Sequence, residues 1–472
     1  MRIGSILSSN TKLKNSLCLR LLALIRETRI LFRRMLLWLW LFSDGNPTVL
    51  PSRLEVLLFQ NSNLFPKSMD ERSRYLIEWQ KIESLWNNGF YHKAVDKRIE
   101  ILHEMYDNSF SSTEPVPRFY SPSYTTNIGH LGNLFSNFRG LLNAQPSMLS
   151  RIILCNEIDM KLPFLRLAFP EDQVISLPRQ NSWSGIFDFQ ALFERLDTFR
   201  VGSTFVDYYQ YASDFLHSGS PFFKSYTVSL LSSLEEHLSA AAKDFFETED
   251  KFVTIQVRKS TRSFDIRNQE FETYIAAINF LKSEGHQVVF LGSHEEHFFG
   301  AEVDIYSALR NEWTFVDQVY SLLKSRFHVG TTSGPTFFAH ALDIPVLHTN
   351  ATSIGRNLLG LNQNSLHIPK RIQIGHKLLN FHETLSTPFA YCESTKEVKR
   401  TGVQFIDNSE RDILEGVKHM LQLTASYSEK AYNEIKKSNE HVAKVREELK
   451  GVSKGMIAPS FLETYPYWID SS

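Results

Sequence analysis

The chain has 472 residues, too many for one ordinary domain, and its 42% hydrophobic and 22% charged residues exclude a largely disordered protein. A formal net charge of −1 excludes the strongly basic field that nucleic-acid binding requires. The three cysteines, Cys18, Cys155 and Cys392, lie far apart and form no cluster with metal-ligand spacing, so the sequence predicts neither disulfides nor a metal site.

Residues 1–42 form a basic and apolar segment. Eight lysine and arginine side chains stand against a single acid, Glu27, which gives this segment a charge of +7. Its final apolar run, residues 35–42, is far shorter than the roughly 20 residues that span a bilayer. Arginines interleaved with leucine and tryptophan favour a helix lying on an anionic membrane over one packed on its own domain. We therefore predict a membrane-associating helix over residues 1–45, and a cytoplasmic protein peripheral to the inner face of the membrane.

Residues 70–107 have the periodicity of two helices joined near Gly89. Gly89, Tyr91 and Ala94 match the spacing of one tetratricopeptide-like repeat, and a single repeat is too small to bury its own faces. We predict a helical hairpin region over residues 46–114, which connects the membrane segment to the remainder of the chain.

Strand and helix patterns alternate from residue 115 onward. A short strand leads into NIGHLG at residues 127–132, and apolar strand runs follow at residues 152–155 and 174–177. Residues 180–245 are predicted to be mostly helical. The alternation indicates a Rossmann-like domain over residues 115–248.

His130 is the candidate base of this half. It lies between Gly129 and Gly132 in a loop at the end of a strand, and imidazole, with an unperturbed pKa of about 6.5, suits proton abstraction near neutrality. Two alternatives remain open at this point: binding a phosphate or hydroxyl without proton transfer, and capping the following helix.

A second α/β unit is predicted over residues 249–425. An apolar strand at residues 252–257 ends on Arg258, and a polar loop with Arg267 precedes a helix at residues 271–283. A further strand at residues 288–292 and a helix at residues 317–324 continue the alternation. Residues 426–472 form a C-terminal helix and tail, in which the mixed charges of residues 429–450 predict an exposed helix.

Residues 327–350 predict a strand, a loop of small residues, a helix and a second strand in succession. The loop residues Gly330 to Gly334 have little bulk, so that backbone N–H groups can approach an anion closely. Pro335 suits the first turn of a helix, whose dipole adds positive potential at the same point. This pattern predicts a phosphate site, although it matches neither the P-loop nor the dinucleotide glycine motif, and an ordinary turn is the alternative.

The motifs taken in order resemble a bacterial family of glycosyltransferases associated with surface polysaccharides. The resemblance extends over roughly residues 70–465 and departs from the family at Lys259, where an acid is expected. The sequence runs that carry it are NIGHLG, VRK with RN ten residues later, GTTSGPT, FIDNSERDILEGVKHML and PSFLETYPY.

The resemblance implies the GT-B arrangement, in which two Rossmann-like domains face one another across a cleft. Residues 115–248 would bind the acceptor and residues 249–425 the nucleotide sugar. The implied activity is transfer of a sugar, as a hexosyl- or related transferase, from a nucleotide-activated donor to a growing surface glycan or lipid-linked acceptor. Neither a metal nor a cofactor beyond the nucleotide sugar is implied.

The resemblance and the positions of these residues at strand ends and loops together give their expected roles. His130 would take the proton from the acceptor. The donor diphosphate would be bound by Arg258, Arg267, Thr331, Thr332, Ser333 and Gly334, and the donor nucleoside by His348, Asn350 and Glu383. Surface ion pairs are the alternative for the two arginines, and structural packing is the alternative for His348 and Asn350. Two other functions stay open: a nucleotide-sugar epimerase of similar fold, which needs no second substrate, and a non-catalytic membrane-associated scaffold.

Overall fold

The structure is a computed structural model that describes residues 160–169, 221–259, 266–292, 305–352, 365–391, 403–425, 429–448 and 455–469, together with five strands nearer the N-terminus and a few single positions. The predicted membrane segment and, apart from Lys81 and Lys97, the predicted helical hairpin lie outside the described residues. Among the helices described, none combines the length and apolarity needed to cross a bilayer.

The described elements alternate between strands and helices along the chain. The strands are β1 Arg118–Tyr120, β2 Arg151–Asn156, β3 Val174–Leu177, β4 Phe199–Val201, β5 Thr204–Val206, β6 Phe252–Gln256, β7 Gln287–Phe290, β8 Tyr306–Ser307, β9 His328–Gly330, β10 Val346–Ala351, β11 Leu366–Pro369, β12 Arg371–Ile374, β13 Lys377–Leu378, β14 Val403–Ile406 and β15 Met456–Ile457. The α-helices are α1 Leu162–Ala168, α2 Pro221–Glu235, α3 Ala240–Thr248, α4 Ile275–Ser283, α5 Phe315–Lys324, α6 Gly334–Ala341, α7 Phe381–Leu385, α8 Glu410–Thr424, α9 Glu429–Ser438, α10 Glu440–Glu448 and α11 Pro459–Thr464.

The largest sheet has seven strands in the order β15-β11-β10-β9-β6-β7-β8, and every neighbouring pair in it is parallel. Counted from β6, its first six strands follow the order 3-2-1-4-5-6 of a doubly wound α/β fold. The winding direction reverses between β6 and β9, which are paired side by side. This sheet confirms the α/β class and the parallel sheet predicted from the sequence.

Helices cover both faces of this sheet, as the alternation of side chains along each strand requires. Phe252 and Val289 belong to one hydrophobic cluster, and their neighbours Val253 and Val288 belong to another. The first cluster includes α5 and α6, and the second includes α4 and α8. Consecutive residues of one strand therefore contribute to two separate cores.

The N-terminal half contributes a smaller parallel sheet of three strands, in the order β1-β2-β3. β2 and β3 lie where the sequence predicted apolar strands. Within residues 180–245, α2 and α3 confirm the predicted helices, but β4 and β5 form an antiparallel pair that was not predicted. Each of these two strands has three residues, which is too short for a period-2 pattern to stand out.

The two halves share one aromatic core. Phe135 and Phe164 from the N-terminal half have ring centroids 5.6 Å apart. Both contact Phe338 of α6, at 5.3 Å and 5.9 Å, and Phe164 also lies 5.4 Å from Phe315 of α5. Helices α5 and α6 are thus held between the sheet behind them and the N-terminal half in front.

The prediction of one exposed helix over residues 429–450 is wrong. The segment forms two helices, α9 and α10, which meet at buried Asn439 and bury Ile435 and Val442. The Asn439 side chain donates to the carbonyl of Ile457 at 2.9 Å and accepts from the N–H of Ile457 at 2.7 Å. These two hydrogen bonds pair the backbone groups of Ile457 on the outer edge of β15. The many charges in this segment mark only its outer face.

Candidate functional site

The carboxyl ends of β6 and β9 meet where the winding of the sheet reverses, which is the position at which doubly wound sheets bind ligands. Arg258 follows β6, and its backbone N–H donates to Thr331 Oγ1 at 3.2 Å across the strand boundary. The carbonyl of Arg258 accepts from the backbone N–H of Gln269 at 3.0 Å. The structure therefore brings Arg258 and the small-residue loop together, as predicted, and holds the main chain of Arg258 on both sides.

The hydroxyl groups of the loop point into the protein. Thr331, Thr332 and Ser333 are almost completely buried, with exposures of 0%, 2% and 3%. Thr332 Oγ1 shares a 3.0 Å hydrogen bond with His348 Nε2 and accepts from the N–H of Thr352 at 3.0 Å. These side chains fix the shape of the loop, so a bound anion would meet backbone N–H groups rather than hydroxyls.

Ser333 adds two further contacts that hold the end of the loop. Its hydroxyl donates to Gln256 Oε1 and lies 3.2 Å from Thr336 Oγ1. Gln256 and Thr336 were not identified from the sequence. Gln256 is the last residue of β6, and this position at a strand end is the sequence feature that could have identified it as a site residue.

Helix α6 begins at Gly334, immediately after the loop, with Pro335 in its first turn. Ser333 is its N-cap residue, but no side chain caps the helix and no acid lies in its first turn. Backbone N–H groups at a helix start lack intrahelical partners and carry the positive end of the helix dipole. This arrangement can bind an anion.

Gly330 ends β9 in a space that admits no larger residue. A Cβ atom at this position would lie 2.1 Å from Thr336 Oγ1 and 2.6 Å from His328 Nε2. His328 is itself fully buried, with Nδ1 3.1 Å from Thr254 Oγ1. Burial, followed by the proximity of His348, lowers the pKa of His328 to about 3. His328 is therefore a neutral packing residue beneath the loop.

The segment with Arg267 is tied to the same edge of the sheet. Lys370 follows β11, and its buried Nζ donates to the carbonyl of Asn268 at 3.2 Å and pairs with Asp407 Oδ1 at 2.6 Å. Lys370 was not identified from the sequence, although a lysine directly after a parallel strand was a usable signal. Lys259, where the sequence departs from the family it resembles, forms a 3.0 Å ion pair with Glu270 near the surface.

The three residues predicted at the donor nucleoside lie in different settings. His348 is fully buried and contacts the loop through Thr332. Asn350 is also buried, has a φ of 50°, and accepts from the backbone N–H of Asn408 at 2.7 Å. Both residues belong to β10, the strand next to the loop.

Glu383 caps a helix. It forms a reciprocal capping box with Asn380 at the start of α7 and pairs with Lys377. The hydrogen bond from Lys377, followed by the N–H of Asn380, lowers the pKa of Glu383 below its ordinary value. Its contacts are thus those of a helix cap, and the described residues show no link between it and the loop.

The predicted base, His130, lies outside the described residues, but Leu131, Gly132 and Phe135, which follow it, are described. Leu131 and Phe135 are fully buried in the core shared with α6. A Cβ atom on Gly132 would lie 3.3 Å from the backbone of Phe337 and Phe338, so the chain approaches α6 closely at this glycine. The described end of this motif, Leu131 and Gly132, therefore packs against the helix that follows the loop.

Within the part of the chain that the structure describes, one group of side chains has the composition of a metal site. His340, His348 and His367 are all buried, and each offers a ring nitrogen within 4.8 Å of the others. The sequence predicted no metal site, because these residues are separated by eight and nineteen positions along the chain.

The class defined by these features is a doubly wound α/β protein with an uncapped helix start and an arginine at its switch point. No family model matches the chain, and no curated protein matches it. It is similar to the glycosyl transferase family 9 protein of Veillonella parvula, with 12% identity over 65% of this chain and 96% of that chain and a TM-score of 0.37.

Two further solved structures are similar to the chain. The heptosyltransferase WaaC of E. coli with ADP has 14% identity, covers 54% of this chain and 91% of its own, and has a TM-score of 0.29. MnaA of S. aureus with UDP has 10% identity, covers 70% and 96%, and has a TM-score of 0.29. These TM-scores lie below 0.5, so the architecture described above rests on the strand order and register of this chain.

Proposed function

We propose that this protein is a glycosyltransferase that moves a sugar from a nucleotide-activated donor to a surface glycan or a lipid-linked acceptor. The observation that carries the proposal is the junction of Arg258 with the loop at residues 331–334, at the reversal point of the parallel sheet. Sugar transfer from such a donor releases a nucleoside diphosphate, and the developing charge on that group must be stabilised.

The site offers two kinds of stabilisation for a diphosphate. The start of α6 presents backbone N–H groups without a side-chain cap. Arg258 and Arg267 belong to main-chain segments that hydrogen bonds hold at the same edge of the sheet. The guanidinium group of an arginine can bind two phosphate oxygens at once. Positioned donors of this type stabilise charge that develops in the transition state.

His130 is the residue we propose as the base that deprotonates the acceptor. The proposal is supported by Gly132 and Phe135, which follow it in the chain and pack on α6, the helix that begins at the proposed donor site. The basic segment at residues 1–42 would bring the enzyme to an anionic membrane, where a lipid-linked acceptor is found. Sedimentation with anionic liposomes, with and without this segment, tests that part of the proposal.

Nucleotide binding is the first test of the proposed function. Full-length protein is heated with UDP, GDP, ADP, CMP or dTDP, and stabilisation by one nucleotide raises the melting temperature by mass action. We expect Arg258→Ala to weaken that nucleotide about 10- to 100-fold, since a hydrogen bond to a charged group contributes about 1.5–3 kcal/mol. Arg411→Ala, at an exposed arginine on α8, is the matched control and keeps wild-type binding.

The alternatives predict different results. Conversion of a nucleotide sugar in the absence of any acceptor indicates the epimerase. A folded protein that binds none of the five nucleotides contradicts both enzymes and favours the scaffold. If His130→Ala retains wild-type turnover, the residue is not the base, while nucleotide binding still tests the donor site separately.

A further inference from the structure

Three histidines from three elements meet on one face of the large sheet. His348 on β10 and His367 on β11 are register partners in a parallel pair, so their side chains project to the same face. The alternate residues Leu347, Leu366 and Ile368 belong to the hydrophobic cluster on the opposite face. His340 belongs to α6, which covers the histidine face. The backbone itself therefore places these rings together.

The rings form a compact trio. Their centroids are 6.0 Å apart for His340 and His348, 5.7 Å for His340 and His367, and 5.4 Å for His348 and His367. Exposure is 7% for His340 and 0% for the other two. Three polar rings gathered in a buried position are costly unless a ligand or hydrogen bonds compensate for their desolvation.

We propose that His340, His348 and His367 bind one divalent transition-metal ion of the zinc class. Each ring has a nitrogen within 4.8 Å of the others. Imidazole is a preferred ligand of zinc and of late first-row metals, and magnesium and calcium prefer oxygen ligands instead.

The present spacing is close to that of a loaded site. With metal–nitrogen bonds of about 2.0–2.1 Å, three nitrogens around a tetrahedral ion lie about 3.4 Å apart. On binding an ion, side-chain rotation would have to close the remaining separation. The hydrogen bond between Thr332 Oγ1 and His348 Nε2 orients one ring, in the manner of the outer-sphere contacts that position metal-ligating histidines.

The burial of the trio indicates a structural ion. A catalytic ion needs an open coordination position that substrate can reach, and these rings offer almost no surface. The ion would fasten α6, through His340, to β10 and β11. Because α6 begins at the small-residue loop, it would also fix the helix start that forms the proposed anion site. The inference stands apart from the proposed function, since it concerns metal and not nucleotide.

Metal content of the full-length protein, purified without a histidine tag, is the test. Zinc, iron, cobalt, nickel and copper are measured by mass spectrometry, the protein is stripped with a chelator, and Co²⁺ is titrated back while its visible absorption is recorded. His340→Gln and His367→Gln are the test variants. His376→Gln, at an exposed histidine in the turn between β12 and β13, is the matched control.

The proposal predicts about one equivalent of metal per chain and a Co²⁺ absorption band in the wild type and the control. We expect at least a tenfold loss of affinity in both test variants. Absence of stoichiometric metal together with absence of a Co²⁺ band in the wild type overturns it, and the trio is then a group of packed neutral imidazoles. Metal binding that survives in both folded variants places the ion elsewhere and also overturns it.

X-ray absorption keeps the test decisive if the variants fail to fold. The wild-type spectrum must show imidazole scattering with nitrogen ligands near 2.0–2.1 Å. A spectrum dominated by sulfur at about 2.3 Å would assign the metal to cysteines and would contradict the proposal.

Discussion

Replacement of Gly330 by alanine tests whether the loop is held as tightly as its contacts indicate. The added methyl group would lie 2.1 Å from Thr336 Oγ1 and 2.6 Å from His328 Nε2, well inside van der Waals separation. Both neighbours are fully buried, and threonine is stiff at χ1 because it is branched at Cβ. The clash cannot be relieved by swinging a flexible side chain into solvent.

The expected cost is large for one methyl group. Overpacking a well-packed core typically costs about 1–3 kcal/mol, and two close contacts at one site favour the upper end, about 3 kcal/mol. Gly416→Ala is a graded comparator. Its new Cβ would lie 2.6 Å from Ile368 Cδ1, a terminal methyl group that can move by rotation about χ2 alone, and its next contacts are 3.2 Å or longer, so we expect a loss of about 1 kcal/mol.

A double-mutant cycle identifies the clash. Thr336→Ala removes the oxygen that lies 2.1 Å from the new methyl group, at the cost of one hydrogen-bond contact with Ser333, about 1 kcal/mol. The double variant should therefore lose at least about 1 kcal/mol less than the sum of the two single losses. Urea unfolding followed by circular dichroism measures each term. A loss below about 0.5 kcal/mol for Gly330→Ala, or strict additivity in the cycle, would refute the packing argument.

Three further predictions concern parts of the fold outside the loop. Asp317→Ala should destabilise the protein by about 2–4 kcal/mol in urea unfolding. The buried carboxylate of Asp317 caps α5 and also accepts a hydrogen bond from the backbone N–H of Ser239 at 2.9 Å. Ser239→Ala, which removes only the cap of α3, should cost about 1 kcal/mol. Burial raises the pKa of Tyr274 to about 12, so this side chain stabilises the fold below pH 10 and loses that contribution as the pH rises towards 12; ultraviolet titration of Tyr274→Phe should lack one late-ionising phenol. Burial and then the charge of Arg326 lower the pKa of His286, so stability should fall as the pH drops below about 6.5, and melting temperatures of His286→Gln should depend less on pH over that range.

The local order of the C-terminal half was accessible from the sequence because each element carries its own pattern. Apolar runs marked β6 and β7, and Pro335 marked the start of α6. Boundaries shifted by a few residues where a different local geometry intervened. Residues 271–274, predicted as the start of an α-helix, are a 3₁₀ helix ahead of α4.

Other features could not be predicted from the sequence, because the strand concerned is short or its partner lies far away along the chain. The antiparallel sheet of β12, β13 and β14 has strands of two to four residues, and its pairing joins segments about 30 positions apart. The inward direction of the loop hydroxyls depends on Gln256, His348 and Thr352, none of which is a sequence neighbour of the hydroxyl it contacts.

The sequence by itself determined the α/β class and the residues delivered to the strand ends, Arg258 and the loop at residues 331–334, because hydrophobic periodicity and the placement of glycine and proline act over a few residues. Tertiary structure alone decided which strand ends meet and which side chains share a face. The junction of Arg258 with Thr331 requires β6 and β9 to pair, although 71 residues, from Val257 to Phe327, separate the two strands along the chain. Only the fold of the sheet brings these strands together. The histidine trio likewise follows from the register of β10 with β11 and from α6 lying over both, a relation that no local pattern records.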